Sequence, residues 1–278
     1  MTATTLTPPP GLGTGTGQAG NPGQARAFFA VLGRDAFVTG RELLPFLAQM
    51  LIQPLFLLFI FGKVLSQIGY AGAGYAQILL PGMVAMNAFT GALQNTALPL
   101  VLDFSVTREI EDRLLAPLSI RLVAVEKMLF GAIRGVIAGL VMIPIGLLIL
   151  DGVSWDPAAL PGVAGVVALG SLAGAAVGMV LGTIVPPRHI NLVFTILLVP
   201  LIFTGSGQFP WLSLSGLRWF QVICAANPLT YVSEALRRLV MPTQVESIPL
   251  WISVLVMVAA TVLFGIIGIR GFLKRALD

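Results

Sequence analysis

"LLPFLAQMLIQPLFLLFIFG", Leu43 to Gly62, decides the fold class. It holds no charged side chain and does not alternate apolar with polar residues. A membrane β-strand would alternate over roughly 10 residues, whereas a membrane-spanning helix needs about 20 apolar ones. The stretch therefore reads as a transmembrane helix. The pattern recurs outward from it. Residues 64–102, 157–187, 190–217 and 247–269 are charge-free, and 135–150 is a shorter run of the same kind. The composition agrees, with 56% hydrophobic and 10% charged residues, against about 25% charged in soluble domains. The predicted fold is an all-α integral membrane domain over 25–278. Its six spans lie near 43–64, 75–101, 125–150, 160–185, 190–206 and 249–270. Residues 1–24 are rich in Pro, Gly and Thr with no charged side chain, and read as a disordered cytoplasmic tail.

Lys and Arg set the orientation. Arg26, Arg34 and Arg41 precede the first span. Arg108, Arg113, Arg121 and Lys127 lie between the second and third, Arg188 follows the fourth, and Arg270, Lys274 and Arg275 close the chain. These eleven fall on one side of a six-span arrangement, with Arg218, Arg237 and Arg238 of the long outer segment as the exception, so both termini are predicted cytoplasmic, in a bacterial inner membrane. Residues 25–42 place Phe28, Phe29 and Leu32 on one helical face and the three Arg on another, as an interfacial helix would.

Within the spans, Gly131, Gly135 and Gly139 share one helix face, and Gly170, Gly174, Gly178 and Gly182 share another. Such bare-backbone grooves allow close packing in lipid, and the third and fourth spans are expected to pack together through them. Gln49 and Gln53 form one polar pair, and Asn87, Thr90 and Gln94 a polar stripe. Each could line a substrate path or bond helix to helix. No Asp or Glu lies mid-span, which disfavours self-powered proton coupling. Arg134 is the one deep charge in a span and is expected to reach toward the inner surface. Cys224 and His189 stand alone of their kinds, so neither a disulfide nor a metal cluster is predicted. Nothing points to nucleic acid.

Against this background one segment is densely ionic. Asp103, Arg108, Glu109, Glu111, Asp112 and Arg113 put six charges into eleven residues. Thr107 can cap a helix, the acids suit its first turns, and Glu109 with Arg113 forms an i,i+4 pair. Leu114 and Leu115 add an apolar edge, Pro117 ends the helix, and Ser119 can cap the next one. Balanced charge with a leucine edge suits a protein partner.

This stretch, "TREIEDRLLAPLSIRLVAVEKML" (Thr107–Leu129), resembles the cytoplasmic signature of the type-2 ATP-binding-cassette export permeases. That family includes drug exporters of the daunorubicin-resistance type and polysaccharide exporters. "ANPLTYVSEALRRLVMP" (Ala226–Pro242) resembles their second signature. The family's acidic-Gly-Thr step is replaced here by "EIEDR". The resemblance implies that Arg108–Ala116 lies on or beside a coupling helix docking into an ATPase subunit. It also implies short outer re-entrant helices near 208–245, with Asn227, Pro228, Tyr231, Glu234, Arg237 and Arg238 among them. The residues agree that Asn227 can cap a helix with Pro228 at its first position, and Glu234 and Arg238 are expected to form an i,i+4 pair. Trp211, Trp219 and Tyr231 suit an interface.

No G-x-x-x-x-G-K-[ST] loop occurs, so the chain carries no ATPase site and no cofactor of its own. ATP and magnesium would belong to a separate ATPase subunit, with a second permease chain, identical or not, completing the path. The cargo is expected to be hydrophobic or amphipathic, drug-like or lipid-linked, moved outward. Lipid-linked polysaccharide export and a self-contained secondary carrier are the alternatives.

Overall fold

The computed structural model describes residues 43–70, 72, 74–104 and 119–277, with nine scattered positions between 26 and 40, all helical. No strand occurs among the described residues. Five helices are long and apolar enough to cross a membrane. These are α1 (Leu44–Gln67), α2 (Tyr75–Leu102), α3 (Ile120–Ile149), α4 (Leu160–Ile184) and α8 (Leu250–Leu277). The predicted fifth span is α5 (Ile190–Thr204), only 15 residues long. At 1.5 Å per residue it reaches roughly 22 Å, short of a hydrocarbon core of about 30 Å. Two shorter helices follow it, α6 (Arg218–Ala225) and α7 (Pro228–Val240).

Local chemistry sets the helix ends. Ser119 accepts the Leu122 N–H at 3.4 Å and starts α3. Asp156 accepts the Ala158 N–H at 2.9 Å and begins the turn Pro157–Ala159 that leads into α4. Asn227 accepts the Leu229 N–H at 3.0 Å, with Pro228 first in α7. Within α1, Pro54 withholds a backbone donor. Four residues later the helix widens into a π-helical stretch, Leu58–Val64. Leu58 and Gly62 are its buried residues, and an added Cβ at Gly62 would meet the side chains of Leu150 and Leu79.

The centre of the fold is α2. Every residue from Leu79 to Leu93 is buried, the mark of a helix surrounded by others rather than lying at a surface. The glycine grooves explain how it is enclosed. An added Cβ at Gly135 would run into the Ala88 carbonyl and Ala92, and at Gly139 into Ala88. On α4, a Cβ at Gly174 or Gly178 would strike the Phe89 or Leu93 backbone, and at Gly182 it would strike Leu100. Gly131 faces Thr96, while Gly170 faces Val232 of α7. α3 and α4 do pack on each other, with Gly139 also facing Val167 of α4, but the grooves expected to join them are filled chiefly by α2. Six of the seven glycines close on α2, which lies against both small-residue faces. Asn87 adds a hydrogen bond across this seam, donating to the Ala138 carbonyl at 2.8 Å. Outside it, Gly268 and Gly271 of α8 seat against Met179 and Thr183 of α4.

Candidate functional site

The base of the central helix comes first. The predicted coupling residues Arg108, Glu109, Glu111, Asp112, Arg113, Leu114, Leu115 and Pro117, with the Thr107 cap, lie outside the described residues. The two ends of that segment are described. Asp103 closes α2, and Lys127 stands two turns into α3. Their side chains form an ion pair of 2.7 Å, with Asp103 7% and Lys127 9% exposed. A pair this buried is costly to break from one side, because the remaining charge is left without its counterion. It fixes the exit of α2 against the entry of α3.

Phe104 follows directly and packs on Phe272 of α8, ring centroids 5.3 Å apart. Arg275, one turn further along α8, lays its guanidinium over Phe104 at 4.8 Å from the ring centroid. Its Nη1 also donates to the carbonyls of Gly182, Thr183 and Val185 at 3.1–3.4 Å. The first two are among the last carbonyls of α4, which no helical N–H satisfies, and Val185 caps that helix. Leu100, Val123, Ala124, Met179 and Phe272 fill the space above as a small apolar cluster.

The second signature builds the opposite end of the molecule. Glu234 and Arg237 on α7 are both fully buried. Arg237 Nη1 donates to Glu234 Oε1 at 2.7 Å, Nη2 to the Ser206 and Gly207 carbonyls, and Nε to the Ile78 carbonyl of α2 at 3.2 Å. Glu234 in turn accepts the backbone N–H of Trp211 at 3.0 Å and of Ile248 at 3.3 Å. One ion pair thereby ties together α2, the loop after α5, α7 and the lead-in to α8. Ser206, in that loop, has a left-handed φ of 52°. Gly82 of α2 passes so close that an added Cβ would strike Gly207 and Arg237.

The predicted Glu234–Arg238 pair is corrected here. Arg237 shares the inward face of α7 with Glu234, whereas Arg238 turns outward and donates to the Pro242 carbonyl at 3.4 Å. Asn227 binds the end of α5 as well as capping α7, donating to Leu201 and Thr204. Tyr231 donates its hydroxyl to the Ala225 carbonyl at 2.9 Å. The Trp211 indole N–H similarly donates to the Gln221 carbonyl at 2.9 Å.

The proposed pathway side chains are not brought together. Gln49 and Gln53 are exposed on α1, Gln94 is half-buried, and Asn87 and Thr90 are buried. Thr90 bonds back to the Met86 carbonyl of its own helix at 2.6 Å. Arg134 lies between the Phe46 and Phe130 rings, 5.2 and 4.8 Å from their centroids, and donates to Asn95 at 3.1 Å. Phe46 stands in the first turn of α1, which places this guanidinium level with the start of that helix. No group of three metal-ligating side chains occurs among the described residues.

The buried clamp and the buried ion pair both lie within the residues that one family model matches. The model for "ABC-2 type transporter" membrane domains matches residues 26–241, most of the chain, with the first signature whole and the second up to Met241. The chain belongs to the ABC-2 type transporter family. Among its relatives is the inner membrane transport permease YadH of Escherichia coli. It is 32% identical over 182 residues, which cover 64% of this chain and 68% of that protein. The putative transport permease ycf38 of Cyanophora paradoxa is 29% identical over 200 residues, covering 67% of this chain and 65% of its own length. The ABC-2 chain thus spans about two thirds of the length of these relatives. No solved structure matches it.

Sequence reasoning about this ABC-2 chain missed Arg275 and the Asp103–Lys127 pair. Arg275 read as one of several orienting charges in the tail. Asp103 and Lys127 stand 24 residues apart in the chain. The available signal was an acid at the end of the 64–102 run and a base in the apolar lead-in to the third span.

Proposed function

We propose that the chain is the membrane permease subunit of an ATP-binding-cassette exporter, driven by a separate ATPase subunit that holds ATP and magnesium. The observation that carries this reading is the Asp103–Lys127 clamp beneath the central helix. Force applied between residues 104 and 119 meets α2 and α3 at that clamp, and α2 is the helix on which the rest of the fold closes. In this reading Arg108 to Leu115, ended by Pro117, form the coupling helix at the cytoplasmic face. Both termini are cytoplasmic, in a bacterial inner membrane. Residues 25–42 lie along the inner interface, and α5 makes a sixth crossing together with the re-entrant pair α6 and α7. A second permease chain completes the path, with Gln49, Gln53 and Gln94 toward it. The cargo is hydrophobic or amphipathic, drug-like in the first instance and lipid-linked in the second.

The test is co-purification with candidate ATPase subunits, followed by vanadate-sensitive uptake of a lipophilic dye into inside-out vesicles. Charge reversal at Glu111 and Asp112 is expected to abolish uptake while membrane insertion and ATP hydrolysis persist. Nucleotide-independent transport by the isolated chain would overturn the proposal in favour of a self-contained carrier.

A further inference from the structure

The root of the ionic segment touches α3 through Asp103 and α8 through Phe104, and the Arg275 side chain carries the second contact on to α4. Arg275 of α8 stacks on Phe104, the last described residue before the segment, and at the same time holds three terminal carbonyls of α4. A stacked guanidinium is attracted to the ring face. One nitrogen of it, Nη1, also satisfies carbonyls at a helix end whose partial charge is negative. Lysine offers no plane to lay on the ring. The Asp103–Lys127 pair fixes α2 to α3 on one side of Phe104. Arg275 fixes α4 and α8 on the other. The four helices are thereby joined in a collar around the point where residues 105–118 begin.

We infer that Arg275 is a positioning residue through which displacement of the ionic segment reaches the last span. The inference rests on the reading of that segment as the ATPase-coupling element. Phe104 is the lever arm: its ring lies between Arg275 and Phe272, both on α8. Movement of Phe104 therefore bears on α8 through a polar contact and an apolar one. With the guanidinium removed, the ring keeps only the Phe272 contact, and α4 loses the donor that ties its end to α8. The segment would then still move α2 and α3, which have their own ion pair, but α8 would follow less, held only by the Phe272 contact and by the Gly268 and Gly271 seats on α4.

The experiment uses the complex of the full chain with its ATPase subunit. Single cysteines are introduced at Arg270→Cys on α8 and at Leu102→Cys on α2, both exposed positions. Cys224 is buried, so the introduced thiol carries the signal. The rate of modification by a water-soluble maleimide is compared without nucleotide and after trapping with MgATP and vanadate. The nucleotide-dependent change at Arg270→Cys is expected to shrink at least about fivefold in Arg275→Lys and in Phe104→Leu, the lower end of ordinary coupling between sites. The change at Leu102→Cys is expected to persist in both, which also reports that the variants are folded and bound to the ATPase. Persistence of both changes in the variants overturns the role of Arg275 alone. Absence of any nucleotide response at either position in the complex with Arg275 and Phe104 intact overturns the coupling reading, and this inference with it. A loss at both positions in the variants overturns the selective link to α8.

Discussion

Glu234 and Arg237 are charged, fully buried, and satisfied by each other and by five backbone groups from three separate parts of the chain. Removing one member of such a pair is far worse than removing both, because the survivor keeps its desolvation cost without its partner. Glu234→Ala is expected to destabilise the detergent-solubilised protein by about 3–5 kcal/mol. Replacing both residues, Glu234→Leu with Arg237→Met, should recover part of that loss. Thermal unfolding of the purified variants measures the difference, and equal loss in the single and double variants would contradict the argument. At this scale the sequence was only partly legible. Asn227 and Pro228 carry their capping roles in their chemistry, and so does Ser119. The partner of Glu234 was not readable from spacing alone, since Arg237 and Arg238 both lie within reach on a helix. Which of them turns inward depends on α2 and the loop after α5, both distant in the chain.

Glycine spacing showed which helices carry flat faces, but not what those faces close upon. The seven glycines of α3 and α4 announced two grooves. A groove's occupant is a matter of three-dimensional arrangement, and the occupant here is α2. The geometry separates glycines that matter from those that do not on the same helix. A Cβ at Gly174 meets the Phe89 backbone, while one at Gly165 meets nothing within 4 Å. Gly174→Leu is expected to force α4 away from α2, with overpacking of about 1–3 kcal/mol or more. Gly165→Leu is expected to stay within about 0.5 kcal/mol of the unsubstituted chain, as surface positions do. Comparing their unfolding temperatures and detergent-purified yields decides the matter, and equal behaviour would remove the seat assigned to α2. The fifth predicted span, 190–206, holds an α5 of only 15 residues, because the charge-free run continues past the helix. Residues 205–217 extend that run without helix until the turn at Trp211–Gly216.

At the scale of the whole molecule, the all-α membrane character was legible from composition and run length alone, because bilayer thickness imposes its own ruler on a sequence. The number of crossings was less so, since a 15-residue helix followed by α6 and α7 satisfies the same hydropathy as one long span. Topology distinguishes the possibilities. If α5 crosses, Ser213→Cys in the loop after it is modified by an impermeant thiol reagent from outside intact cells, and Lys274→Cys is modified only after permeabilisation. Labelling of Lys274→Cys from outside, with Ser213→Cys modified only after permeabilisation, would reduce the crossings to five. The seat of α2 bears on how the molecule can move. A rod resting on bare backbone meets few rotamers that must flip when it shifts along its axis. Its natural displacement is a slide, as in a plain bearing, with neighbouring helices shearing past it rather than bending at a hinge.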